Sequence, residues 1–110
     1  MPGTGKATIG GGLVNNIHGK DNFKSGNFSN NVKWIEILDS KGRTRIINKN
    51  HIDFKHVIYS MGLFCVVTKI CLELVKIKSQ YLEVNTYKTK NLKELISKFE
   101  NEKKKENDFY

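Results

Sequence analysis

Seven of the nine glycines in this 110-residue chain fall before residue 27, and six asparagines share the first 31 positions with them. Aliphatic residues are scarce there. A segment of that composition cannot bury enough apolar surface to order itself. It is either disordered or main chain meant to approach a ligand closely, since glycine removes the obstructing side chain and permits positive φ. Within it, "GGGLVNNIHG" predicts a glycine turn and then a short helical turn. Leu13, Val14 and Ile17 are spaced to share one helical face.

The opening "MPGTGKATIGGG" invites comparison with phosphate-binding loops, and two fail on inspection. A Walker A loop needs Ser or Thr after Gly-Lys, but Ala7 follows Gly5-Lys6, and no apolar strand leads in. The dinucleotide fingerprint G-x-G-x-x-G finds Gly3 and Gly5, but Thr8 holds its third glycine position. Both an NTPase and a Rossmann reading are disfavoured on these grounds.

From Val32 the texture changes. "VKWIEILDSKGRTRII" predicts a β-hairpin, with Asp39 and Gly42 at the first and last positions of its turn. "HIDFKHVIYSMG" predicts a short helix ending at Gly62. "LFCVVTKICLELV" is the clearest strand, with Val66, Thr68, Ile70, Leu72 and Leu74 on one face and Lys69, Cys71 and Glu73 on the other. "YLEVNTYK" alternates in the same way and predicts another strand. Leu92, Leu95, Ile96 and Phe99 follow helical spacing, with Asn91 as N-cap and Glu94 three residues on, close to a capping box. This order predicts an α+β fold with mainly antiparallel pairing.

Composition bounds the function. Hydrophobic residues make up 38% of the chain, enough for a modest core in one small domain. The net charge of +8 admits an anionic partner. The lysines are scattered, however, and the run Lys103 to Lys105 is offset by Glu100, Glu102 and Glu106. Cys65 and Cys71 have no metal-ligand spacing and read as buried or half-buried free thiols. No apolar run approaches the length of a membrane span, and no signal peptide is visible, so the expected location is the cytoplasm. His51 and His56 lack partners at metal-binding spacing, so no metal site is expected. His18 differs, because Asn15, Asn16 and His18 place side-chain donors and acceptors beside flexible main chain. Successive main-chain N–H groups in such a turn can form an anion-binding nest suited to a pyrophosphate.

Taken in order, Pro2-Gly3-Thr4, Thr8-Ile9-Gly10-Gly11, Ile17-His18-Gly19-Lys20, Gly26-Asn27-Phe28 and Met61-Gly62-Leu63 with Val66-Val67-Thr68 resemble one known series. They are similar to the p-cresol methylhydroxylase-type flavin-binding domain of FAD-linked oxidases, in the vanillyl-alcohol oxidase family. The nearest group is the sugar oxidoreductases of the decaprenylphosphoryl-ribose oxidase type. The resemblance runs from Pro2 to about Val75 and continues loosely through "NLKELISKFE". It implies the second half of such an FAD-binding domain over residues 1–78 and the beginning of a substrate domain over residues 79–110. It implies FAD as cofactor, held by Gly3, Thr8, Ile9, Gly10, Gly11, Asn15, Asn16, Ile17, His18 and Val67, with Lys20 toward the substrate.

The sequence departs from the family pattern where Asp21-Asn22-Phe23 follows the H-G-K motif and where Phe64-Cys65 replaces a Thr-Gly pair. The family's other pyrophosphate loop and most of its substrate pocket have no counterpart here, and no catalytic residue is assigned. The chain therefore reads as a fragment of an FAD-dependent oxidoreductase acting on a sugar or alcohol CH–OH group. A separate chain carrying the missing subdomain is an expected partner. The alternatives are a small basic nucleic-acid-binding domain, less favoured, and a non-functional remnant.

Overall fold

Val32 begins the sheet because its neighbours alternate, and alternation suits a sheet with one wet face. The computed structural model describes residues 4–76, 79–81 and 83–104. Its elements are α1 (Ile9–Val14), α2 (Asn22–Ser25), a 3-10 turn (Phe28–Asn31), β1 (Val32–Leu38), β2 (Thr44–Asn48), α3 (Ile52–Val57), β3 (Val66–Leu72) and α4 (Leu92–Lys104). The three strands form one antiparallel sheet in the order β2-β1-β3. The predicted α+β class is what the chain adopts. It divides into two units, Met1–Leu74 and Val75–Tyr110.

The β1–β2 hairpin forms where its turn chemistry requires. The Asp39 carbonyl accepts from Gly42 N at 3.0 Å, and Gly42 takes a left-handed φ of 73°. Asp39 Oδ1 accepts from the N–H groups of Lys41 at 2.8 Å and Arg43 at 3.0 Å. Its other oxygen takes the Arg43 guanidinium, with Nη2 at 2.8 Å. The turn thus closes on one carboxylate.

The core lies on one face of the sheet. Ile35, Ile37 and Ile47 face Leu13 of α1, Phe28 of the 3-10 turn, and Phe54, Val57 and Ile58 of the α3 segment; with Val32 these are the buried apolar residues among those described. On the opposite face Glu36 sits between Ile46 and Lys69, and Trp34 between Asn48 and Cys71.

β3 departs from the expected two-face pattern. Its core-packed residues are Val67, Ile70 and Leu72, with Cys65 just before it. Odd positions face inward first, and even positions later. The pairing explains the change: Glu36 lies opposite Lys69, yet Ile37 lies opposite Val67, so Thr68 is an extra residue in the ladder. A bulge of this kind reverses the facing of every residue beyond it. The Thr68 hydroxyl secures it, donating to Glu36 Oε1 at 2.8 Å.

Two further expectations are corrected. The α3 helix ends at Val57 rather than Gly62. Ile58 is extended, with ψ 131°, and Tyr59 is left-handed, with φ 81°, so the helical path cannot continue. "YLEVNTYK" is not a strand at its described residues, and Leu82 lies outside them. Val84 is 78% exposed, so the alternation buries neither face, and an unpaired strand has no ladder to hold it. In the second unit, α4 forms with the expected cap: Glu94 N donates to Asn91 Oδ1 at 2.9 Å, and Glu94 Oε2 accepts from Lys90 N at 2.9 Å. Lys98 lies 3.9 Å above the Tyr87 ring.

Candidate functional site

The glycine-rich segment is ordered, and short-range hydrogen bonds explain how. Thr8 has extended φ and ψ and caps α1, its hydroxyl accepting from Gly11 N at 3.1 Å. Gly12 N donates to the Thr8 carbonyl at 2.8 Å. At the other end Asn15 donates from its side-chain amide to the Gly11 carbonyl at 2.9 Å. Asn16 then turns left-handed, with φ 44°, and the chain reverses. Ile17 N returns to the Gly12 carbonyl at 3.0 Å. Asparagine tolerates this conformation better than most residues, which is the physical reason "NN" can end so short a helix.

Asn16 is 5% exposed, and each end of its amide has a partner inside the protein. Oδ1 accepts from Ser29 N at 3.1 Å, and Nδ2 donates to the Tyr59 hydroxyl oxygen at 2.7 Å. The Val14 carbonyl accepts from both Tyr59 N at 2.9 Å and Met61 N at 3.2 Å. The segment is therefore tied to the 3-10 turn on one side and to residues 59–61 on the other.

The expected binding residues fall into three places. Thr8, Ile9, Gly10 and Gly11 form the exposed to half-buried start of α1. Helix geometry leaves the first N–H groups of any helix without intrahelical acceptors. Here Thr8 takes that of Gly11, while those of Ile9 and Gly10 have no acceptor among the described residues. No acidic residue stands in this first turn. A Cβ added to Gly10 would meet nothing within 4 Å, so this stretch of main chain is open. Asn15, Asn16 and Ile17 make the reversal, with Ile17 packed on the core.

His18 follows, exposed, bridged to Asn27, and with Nδ1 3.1 Å from the Gly19 carbonyl. Lys20 is exposed in the next turn. Val67 lies apart on β3, half-buried on the core face opposite Ile37. The structure gathers the residues from Thr8 to His18 into one feature; Val67 joins it only through the shared core. Gly3 lies outside the described residues.

Elsewhere, a shallow depression of about 510 Å³ is lined by His56, Ser60, Leu63 and Phe64. None of the expected binding residues lines it. Beside it Asp53 accepts from Arg45 at 2.7 Å, with His51 and His56 at 3.9 and 3.8 Å. The Arg45 hydrogen bond holds the Asp53 carboxyl below its usual range. Cys65 and Cys71 are half-buried free thiols, and burial pushes the Cys65 thiol up. Among the described residues no three His, Cys, Asp or Glu side chains gather to hold a metal ion. No helix there is long and apolar enough to cross a membrane.

Sequence reasoning missed Tyr59. Neither its left-handed φ nor its bond to Asn16, 43 residues away, carries a local signature.

No known family model matches the chain. It is 28% identical over 100 residues to decaprenylphosphoryl-beta-D-ribose oxidase of Mycolicibacterium smegmatis, a match covering 88% of this chain and 22% of that protein. It is 23% identical over 97 residues to an uncharacterized protein in the mprA 5' region of Streptomyces coelicolor, covering 88% of this chain and 26% of that one. The chain thus spans about a quarter of the length of the curated relatives it matches, and the similarity is a distant one to an oxidase.

Proposed function

We propose that this chain is an FAD-binding segment of an FAD-dependent oxidoreductase acting on a sugar or alcohol CH–OH group. The observation that carries the reading is the shape of residues 8–18. A composition that could not order itself is fixed as capped main chain, with N–H groups at Ile9 and Gly10 that find no acceptor among the described residues, an open glycine and no acidic residue in the first helical turn. That donor set fits one side of a pyrophosphate. The similarity to a protein named as an oxidase of a phosphoryl-linked ribose supports the same class.

In this reading, residues 1–78 belong to a p-cresol methylhydroxylase-type FAD-binding domain and residues 79–110 open a substrate domain. Gly3, Thr8 to Gly11, Asn15 to His18 and Val67 would hold the flavin, and Lys20 would serve the substrate side. Asn16 contributes main chain, since both ends of its amide are engaged. When bound, FAD supplies the hydride acceptor; the chain's own residues bind and orient it. Because the chain spans about a quarter of its relatives, the oxidation itself is assigned to a larger assembly, either one longer polypeptide or a partner chain.

The test is a flavin titration of the chain, alone and joined to a p-cresol methylhydroxylase-type N-terminal subdomain, followed by fluorescence. FAD is expected to bind the joined protein more tightly than riboflavin, which lacks the pyrophosphate. Equal affinity for the two, or no flavin uptake by the joined protein, would overturn the reading.

A further inference from the structure

Tyr59 occupies a conformation that tyrosine rarely adopts. Its φ of 81° belongs to the region that favours glycine, and Met61 at 51° and Asn16 at 44° share it. All three converge on one spot. Tyr59 N and Met61 N both donate to the Val14 carbonyl, and the Tyr59 hydroxyl oxygen accepts from Asn16 Nδ2. A strained backbone persists only where its surroundings over-determine it, and such positions cluster where a segment must be held in shape. Tyr59 is itself 64% exposed, so burial does not account for a tyrosine there. Its polar end does: the hydroxyl is the partner of the buried Asn16 Nδ2, as Ser29 N is of Oδ1.

We infer that Tyr59 is a positioning residue for the glycine segment. Its hydroxyl fixes Asn16, Asn16 fixes Ser29 and the reversal after α1, and the reversal sets the direction of the main chain from Thr8 to His18. This deepens the flavin-binding reading and rests on it for what the segment is shaped to hold. The clamp itself rests on hydrogen bonds and dihedral angles alone. Tyrosine is needed for its oxygen, and the left-handed backbone is the cost of delivering that oxygen from residue 59.

The test compares the whole chain with Tyr59→Phe and Tyr59→Gly by amide hydrogen exchange. Tyr59→Phe keeps ring and backbone and removes only the oxygen. The amides of Ile17 and Ser29 are expected to exchange about tenfold faster, with those of Ile35 and Ile37 in β1 unchanged. Tyr59→Gly relieves the backbone and is expected to speed the same two amides. Acceleration below twofold in Tyr59→Phe, equal acceleration across β1, or a Tyr59→Gly chain as protected as wild type overturns the clamp. FAD titration of the same three chains, each joined to that N-terminal subdomain, forms the second arm. A weaker FAD Kd in Tyr59→Phe at unchanged Tm supports the role toward the cofactor. A wild-type protein that takes up no FAD overturns that role and the flavin reading together, while the exchange rates still decide the clamp.

Discussion

Gly10 and Gly12 lie two residues apart on α1 and meet different surroundings. A Cβ on Gly10 would touch nothing within 4 Å, whereas one on Gly12 would come within 2.9 Å of Ile17 Cδ1 and 3.7 Å of the Phe28 ring. Gly11 is a third case, its Cβ position 2.9 Å from the Thr8 hydroxyl that caps the helix. In sequence the three are indistinguishable; the cap at Thr8 and the reversal that returns Ile17 separate an open glycine from a crowded one. Gly10→Ala is therefore expected to stabilise the fold by about 0.5–1 kcal/mol, because alanine loses less backbone entropy in a helix. Gly12→Ala gains the same entropy but must displace Ile17, and it is expected to be less stable than Gly10→Ala by about 1 kcal/mol or more. Urea denaturation of the pair checks the difference. Gly10→Ala should also weaken FAD binding despite its higher stability. A variant that is more stable and binds FAD as tightly as wild type would remove Gly10 from the site.

The elements differ in how far their neighbours in sequence specify them. The β1–β2 hairpin was legible because Asp39 and Gly42 close the turn within five residues. α4 was legible for the same reason, its cap and its apolar spacing both being local. Asn91→Ala is expected to cost that helix about 0.5–2 kcal/mol, read as faster amide exchange at Glu94 and Leu95. Unchanged exchange would show that the helix does not depend on its cap. β3 was legible as a strand but not in its facing, because the reversal at Thr68 is set by Glu36, 32 residues away. "YLEVNTYK" shows the converse: a local alternation predicts a strand only when another strand is present to pair with it. The glycine segment reads as a turn followed by a helical turn, but α1 takes in Gly10, Gly11 and Gly12 and the turn follows it. Its anchoring was not legible, because Asn16, Ser29 and Tyr59 are brought together only by the fold.

At the scale of the molecule, acidic side chains pin together a chain that carries a net charge of +8. Asp53 joins α3 to Arg45 of β2, and Glu36 of β1 joins Thr68 and Lys69 of β3. Asp39 closes the hairpin turn, and Asp21 accepts from the Ser25 hydroxyl across α2. All four carboxyls are held below their usual range. The leading causes are the Arg45 side chain at Asp53, the Thr68 hydroxyl at Glu36, the Arg43 main-chain N–H at Asp39 and the Ser25 hydroxyl at Asp21. A carboxyl with a lowered folded pKa is protonated first in the unfolded state, so acid pulls the equilibrium toward unfolding. The stabilisation is fully present above the ordinary values of 4.5 for Glu36 and 3.8 for the aspartates, and is lost as the pH falls through their lower folded values. Thermal midpoints are therefore expected to hold steady from about pH 7 to about pH 5 and to fall steeply toward about pH 2.5. General repulsion would produce a similar fall, since each protonated carboxylate adds to the positive excess, but salt screens long-range repulsion. The fall is expected to persist at an ionic strength of about 0.15 M and to be shallower in Asp53→Asn, which lacks one titrating pin. An acid limb that disappears in salt, or one unchanged in Asp53→Asn, would assign it to net charge instead of to the four joints.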